Sequence, residues 1–425
     1  MGDRRKTLPC PRNRFRLDTN RPSGLTANDE DLIMLNTSVA PWPFFTDEEA
    51  DAARAVILSN RVNYWTGVEG RHFEDEFASW VGTSHAVALA NGTLALDLAL
   101  NALGIGQGDE VIVTPRSFMA SVSSVVNAGA VPVFADVDVE SGNLSAKTIA
   151  PALSDQTRAI IPVHLAGWPC GMEAIMELAA PRGIAVIEDC AQAHGAMIQG
   201  RHVGTFGQIG AWSFCQDKIM TTGGEGGMVT TNDPNLWSAM WSFKDHGKSW
   251  DAVHNREHPP GFRWVHDGFG TNWRMLEVQA AIGRIQLHQM AEWTAARTRN
   301  ARRLADMLGR HSSVVRVPMP DSAMTHAYYR LYAYVRTEGL REGWSRDRIV
   351  AEVTSRGVPL LHGSCSEIYL EKAFDNTPWR PLQRLPVARD LGETSLMFLT
   401  HPTLTESDLS RICDCVDEVL SLAAA

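Results

Sequence analysis

The sequence lacks any apolar run of the roughly 20 residues that a membrane-spanning helix requires, which excludes a transmembrane segment. It also lacks an excess of positive charge. Lys and Arg number 39 against 49 Asp and Glu, a formal net charge of -10, which argues against a general nucleic-acid binder but leaves room for a local basic pocket for phosphates. Paired cysteines are missing as well: Cys10, Cys170, Cys190, Cys215, Cys365, Cys413 and Cys415 are scattered, odd in number and without CxxC spacing. They read as reduced thiols, with neither a disulfide framework nor a metal site, and a cytoplasmic location is expected. The basic start (Arg4, Arg5, Lys6, Arg12, Arg14, Arg16) has no apolar stretch of the secretory kind behind it. Residues 1–33 therefore read as a disordered extension ahead of Met34, and the sequons at Asn36 and Asn91 carry no weight. A dinucleotide fingerprint is absent too, because Gly104, Gly106 and Gly108 follow a helix and precede a strand, the reverse of the required order. They are a turn.

What the chain does have is length and alternation. Its 425 residues, 44% hydrophobic, suffice for two domains. From Ala86 to Ile187, short apolar runs alternate with helical periods, with strands expected near 110–114, 131–134, 159–163 and 184–187 and helices from Phe118, after Ser145 and over 172–180. That pattern predicts an α/β domain with a mainly parallel sheet, whose ligands bind at the carboxyl ends of the strands. The residues following each apolar run are then the candidates: Asn91–Thr93, Thr114–Phe118, His164, Glu188–His194 and Ser213–Lys218.

The stretch AWSFCQDKIMTTGGEGGM (Ala211–Met228) places one lysine, Lys218, between a buried-strand pattern and a glycine run. Desolvation there lowers an ammonium pKa and frees the amine as a nucleophile towards a carbonyl, as Schiff-base chemistry needs. Asn91-Gly92-Thr93 opens a helix, whose free N–H groups suit an anion. Asp189 leaves a buried strand, with Gln192 three residues on. Each has an ordinary alternative when taken alone: a surface lysine beside a turn, a helix N-cap, an Asp capping the next helix. Taken together with Ser213 and with Phe118 as a ring cover, they fit pyridoxal 5'-phosphate, which needs an amine, a partner for its ring nitrogen and an anion site.

Further along the chain, Trp241–Trp273 is rich in His, Lys, Arg and aromatics, a suitable lining for an anionic, ring-bearing substrate. Met275–Leu308 has helical periodicity and the length of a connector. After about 311 the pattern changes to strands (313–317, 328–335), a helix at 347–355, a loop over 360–384 and a last helix at 406–422, a small α+β domain. The expected division is 34–290 for the large domain and 291–425 for the small one. His362 and the SEIYLEKAF segment are weaker candidates for reaching a substrate.

The segments SFCQDKIMTTGGEGG, VIEDCAQAHGA, PVHLAGWP, GTNWRMLEVQAAIGRIQL and HPTLTESDL also resemble, together, the DegT/DnrJ/StrS aminotransferases, and the likeness covers residues 34 to about 420. That family aminates nucleotide-linked keto-sugars and some cyclitols. The resemblance implies the type I, aspartate aminotransferase-like fold and the following roles. Lys218 would carry the cofactor and shuttle the proton, Asp189 would keep the pyridine nitrogen protonated, and Gln192 would face the ring hydroxyl. Phe118 would stack on the ring, Gly92, Thr93 and Ser213 would bind the phosphate, and Asn272 would reach the phosphate of a partner subunit in a homodimer with shared active sites. Asn91 departs from the common Ser of the family, and Phe118 stands where Trp or Tyr also occurs. Lys218 argues against the dehydratase branch, which has His there. The implied reaction is transamination of a nucleotide-sugar ketone with L-glutamate as the amino-acid donor. The alternatives are an L-glutamine-dependent keto-cyclitol aminotransferase and a non-catalytic, cofactor-binding regulator.

Overall fold

Aliphatic runs too short for helices become buried strands, and the amphipathic stretches between them cover the resulting sheet. A computed structural model describes residues 39–425; the basic start and Cys10 lie outside the described residues. Nine strands precede the long helix: β1 (His85–Leu89), β2 (Glu110–Val113), β3 (Val131–Phe134), β4 (Thr157–Ile161), β5 (Ala185–Asp189), the hairpin β6 (Met197–Ile198) and β7 (Arg201–His202), β8 (Ile209–Ser213) and β9 (Gly227–Thr231). After it come β10 (Val315–Arg316), β11 (Met324–Thr325), β12 (Arg330–Val335) and β13 (Ser395–Leu399).

The main sheet has seven strands in the order β1-β9-β8-β5-β4-β2-β3. The pairs β2–β3, β2–β4, β4–β5 and β5–β8 are parallel, whereas β9 runs antiparallel to both neighbours. Since β1 and β8 both oppose β9, the carboxyl ends of β1, β2, β4, β5 and β8 all emerge at one edge. This is the mixed, mainly parallel α/β sheet expected from the alternation. A second sheet, β10-β12-β13, is antiparallel and packs with the C-terminal helix Glu406–Ala423 around its own core of Leu331, Ala333, Phe398, Ile412 and Val416. The helix Glu277–Gly309 joins the two cores: Ala280, Leu287 and Met290 pack under the main sheet, and Leu304, Met307 and Leu308 pack under the small one.

Local structure departs from the expectations in ways that have physical causes. The helix expected from Phe118 begins at Ala120, since the first i to i+4 bond runs from Ser123 N–H to the Met119 carbonyl. Phe118 is left in the preceding loop. The helix after Ser145 lasts one turn, Ala146–Ile149, and tightens into a 3₁₀ turn containing Pro151, which has no N–H to continue it. The strand expected from Tyr328 starts at Arg330, because Tyr328 has φ of 45°, outside the extended region. Strands β9 and β13 and the helices Pro234–Phe243 and Pro386–Thr394 were not foreseen. No helix among the described residues is long and apolar enough to cross a membrane.

Candidate active site

The carboxyl edge of the main sheet forms one wall of a cavity of about 830 Å³, and residues near the start of β12 and from the segment 361–371 form the other. Gly92, Thr93, Phe118, Asp189, Gln192, Ser213 and Lys218 all line it. The structure therefore brings together every residue expected to hold the cofactor except Asn272. That residue is exposed, its backbone bridged to Asp245, away from this cavity.

Backbone approach builds the anion cradle. Asn91 caps the helix Gly92–Ala102, its side-chain oxygen accepting from Leu94 N–H at 3.0 Å, so the next amides at the helix start are left facing the cavity. A Cβ on Gly92 would stand 2.5 Å from Ser213 Cβ, and only glycine lets the helix start come this close to the end of β8. Asn91 is thus the helix cap, and Thr93 remains available for the cavity.

Lys218 sits in the loop between β8 and β9. Its carbonyl accepts from Trp42 Nε1 at 2.8 Å, and the loop closes through Phe214 N–H to the Gly226 carbonyl at 2.8 Å and Thr221 N–H to Gln286 Oε1 at 2.8 Å. Gly223 and Gly224 have φ of 83° and 114°, values that strain any other residue. The lysine side chain is only 16% exposed, yet the expected fall in its pKa is not what the structure gives. Burial does push it down, but Tyr329, Asp217 and Cys215, with the hydrogen bond to Asp217, outweigh burial and the net shift is upward. Burial keeps Tyr329 and Cys215 protonated at neutral pH, so the full negative charge facing the ammonium belongs to Asp217, 3.3 Å away.

Asp189 ends β5. One carboxylate oxygen accepts from Ser121 Oγ at 2.8 Å and the other from Ala191 N–H at 3.1 Å. Burial raises its pKa against those bonds, because it makes no ion pair among the described residues. A buried carboxylate that faces a cavity with no cation in contact with it suits a protonated ring nitrogen. Gln192 Oε1 accepts from Ala166 N–H at 2.7 Å, so its amide nitrogen is left to donate. Phe118, 70% exposed, stands at the cavity mouth.

Other expectations fall elsewhere. His164 is buried away from the cavity: its Nδ1 accepts from Cys170 N–H at 3.0 Å and its Nε2 meets Glu188 Oε2 at 3.1 Å. His164, Glu188 and Cys190 have the spacing of metal ligands, but Glu188 also accepts from the amides of Gly204, Phe206 and Gly207, each at 2.7 Å. The cluster reads as a hydrogen-bonded structural knot. No residue of Trp241–Trp273 lines the cavity of its own chain. Lys244 is buried over the Tyr64 ring at 3.6 Å, and Lys248 pairs with Asp245 at 3.0 Å. His362 pairs with Asp347 at 3.3 Å outside the cavity, whereas Ile368 and Glu371 of the SEIYLEKAF segment do line it. Sequence reasoning missed Ser121, Tyr329 and Arg330, and it included Ser117 and Asp217 in candidate stretches without giving them a role. Ser117 and Ser121 are one helical turn apart, a spacing that offered a signal; Tyr329 and Arg330 lie more than a hundred residues from Lys218 and offered none.

An amine, a buried cation-seeking carboxylate and a helix-start anion cradle around one cavity define an enzyme site for a phosphorylated aromatic aldehyde, and the donor set fits pyridoxal 5'-phosphate. The chain belongs to the DegT/DnrJ/EryC1/StrS aminotransferase family, which it matches over residues 44–417. It is a pyridoxal-phosphate-dependent aminotransferase, a transferase of the type I fold. It is 36% identical over 383 residues to a GDP-perosamine synthase of Escherichia coli O157:H7, a match covering 89% of this chain and 97% of that one. It is 34% identical over 371 residues to a dTDP-3-amino-3,4,6-trideoxy-alpha-D-glucose transaminase of Streptomyces venezuelae, covering 87% and 92%. Among solved structures, an aminotransferase from Psychrobacter cryohalolentis superposes with a TM-score of 0.90 at 59% identity, covering 91% of this chain and 99% of that one.

Proposed function

We propose that the protein transfers an amino group from L-glutamate to a keto carbon of a nucleotide-linked deoxysugar. The single observation that carries this reading is that Lys218, Asp189 and the Gly92–Thr93 helix start line one cavity. The substrates named for the GDP-perosamine and dTDP-amino-sugar relatives support the sugar class.

When bound, the cofactor supplies an electrophilic carbonyl carbon and a ring that accepts the electron pair of the broken C–H bond. Lys218 Nζ holds the cofactor and then carries a proton to and from the substrate carbon in both half-reactions. Asp189 keeps the ring nitrogen protonated, and Gln192 faces the ring hydroxyl. Gly92, Thr93 and Ser213 bind the phosphate, and Phe118 covers the ring and excludes water. Asn272, exposed and off its own cavity, is assigned to the phosphate of a second copy in a homodimer. The separate cores of the two sheets support a division into large and small domains near residue 290. Six free thiols among the described residues support a cytoplasmic location.

The visible spectrum of the purified protein tests this reading. The cofactor band is expected to bleach on adding L-glutamate; bleaching by L-glutamine alone would favour the keto-cyclitol reaction, and a band that no donor bleaches would favour a regulator. Lys218→Ala should lose that band and cut turnover by roughly 10³-fold or more. Mixing Asn272→Ala with Lys218→Ala protein should restore some activity through hybrid dimers, and no recovery at any ratio would remove the shared site.

A further inference from the structure

Asp217 has no role in the scheme above, yet it contacts the lysine and two residues of the small sheet. One carboxylate oxygen lies 3.3 Å from Lys218 Nζ. The other accepts a hydrogen bond from the Tyr329 hydroxyl and lies 3.7 Å from Arg330 Nη2. Tyr329 and Arg330 stand at the start of β12 in the small sheet, and the Arg330 guanidinium stacks on the Tyr329 ring at 4.0 Å. The lysine's loop, by contrast, is anchored to the main sheet and to Trp42. Asp217 is therefore the link between the amine on one wall of the cavity and the small sheet on the other.

We propose that Asp217 is a positioning residue that holds the Lys218 ammonium against Tyr329 and Arg330, and so sets how readily this amine is released to a carbonyl ligand. The proposal rests on Lys218 being the cofactor-bearing amine. To add to an aldehyde, the ammonium first gives up a proton to solvent; the neutral nitrogen then bonds to the carbonyl carbon and water leaves. An anion in contact with the ammonium opposes the first of these steps. The other groups facing the amine do not substitute for it. Tyr329 and Cys215 are kept protonated at neutral pH by burial, and His194, pushed down to about 3 by burial, is uncharged. Arg330 and Arg297 carry no negative charge, and Asp189 makes no ion pair with the ammonium, its oxygens accepting from Ser121 and Ala191. Although burial opposes it, the Lys218 ammonium and Arg330 hold Asp217 below the usual carboxylate range, so it stays charged.

The test uses cofactor-free full-length protein. It follows, against pH, the acetylation of Lys218 by acetic anhydride, read by mass spectrometry of its peptide, and the rate of pyridoxal phosphate uptake. Asp217→Asn should move both profiles to lower pH by about one unit, about tenfold faster reaction at a fixed pH below the midpoint. Asp217→Glu, which keeps the charge, should leave both near the native position. Profiles of Asp217→Asn that superimpose on the native ones would overturn the proposal. So would equal loss of uptake at every pH in both variants, the mark of a merely structural residue. Lys218→Ala run alongside keeps the two readings apart. A visible cofactor band that survives in it removes the lysine assignment, whereas a band lost in it with an unshifted Asp217→Asn removes only the role of Asp217.

Discussion

Two buried carboxylates stand side by side at the end of β5, and their surroundings differ completely. Glu188 points to one face of the strand, where it accepts from three backbone amides and meets His164. Asp189, one residue on, points to the other face, accepts from Ser121 and Ala191, and opens onto the cavity. The alternation of side chains along a strand places neighbours in separate environments. On one face the acceptors are saturated and the carboxylate ties the 204–207 turn to the sheet. On the other, a carboxylate is left without a cation in contact, which is the state a ligand can complete. Burial is the same for both; unsatisfied capacity separates a structural acid from a functional one.

Removing the charge from each should separate the two roles. Asp189→Asn is expected to cut turnover by roughly 10²–10³-fold, because an amide cannot hold the proton on the ring nitrogen. Its effect on the cofactor-free protein runs the other way. The folded pKa of Asp189 is raised, so its ionised form opposes folding above that pKa and the penalty disappears as pH falls through it. The variant should therefore melt at or above the native temperature at neutral pH, and a clear drop in calorimetry would contradict the unpaired-charge reading. Glu188→Gln should do the opposite. An NH₂ group then faces amide donors, and about 2–3 kcal/mol of stability is lost in denaturant titration. The per-site kcat of the fraction that remains folded should stay close to native. The smallest effect should come from Ser121→Ala, which removes one of the two bonds to Asp189. Stability should change by about 1 kcal/mol and turnover by no more than about tenfold; a loss as large as that of Asp189→Asn would make Ser121 part of the chemistry.

Much of the cavity was legible because α/β sheets put ligands at strand ends, and strand ends can be found from where apolar runs stop. Gly92, Thr93, Asp189, Gln192, Ser213 and Lys218 all follow such a stop. The glycines after Lys218 were legible for the same local reason: positive φ at Gly223 and Gly224 is a property of the turn itself. The direction of the cations around Trp241–Trp273 was not legible, because composition does not say which way a cation points. Lys244 turns inward onto Tyr64, and Lys248 and Arg274 both pair with Asp245. The lowered lysine pKa misled because desolvation was weighed without its neighbours.

The sequence by itself determined the strand ends, the helix start at Gly92, the candidate amine Lys218 and, through its motifs, the family. These are local properties, set by periodicity, capping and turn chemistry within a few residues. Only the tertiary structure decided that Tyr329 and Arg330 meet Asp217 beside Lys218, that Ser121 supports Asp189, and that Glu188 and His164 face away from the cavity. Charges and hydrogen bonds act over a few ångströms in space however far apart the residues lie along the chain. The protonation of the lysine is therefore settled by the folded cavity and not by the stretch that carries it.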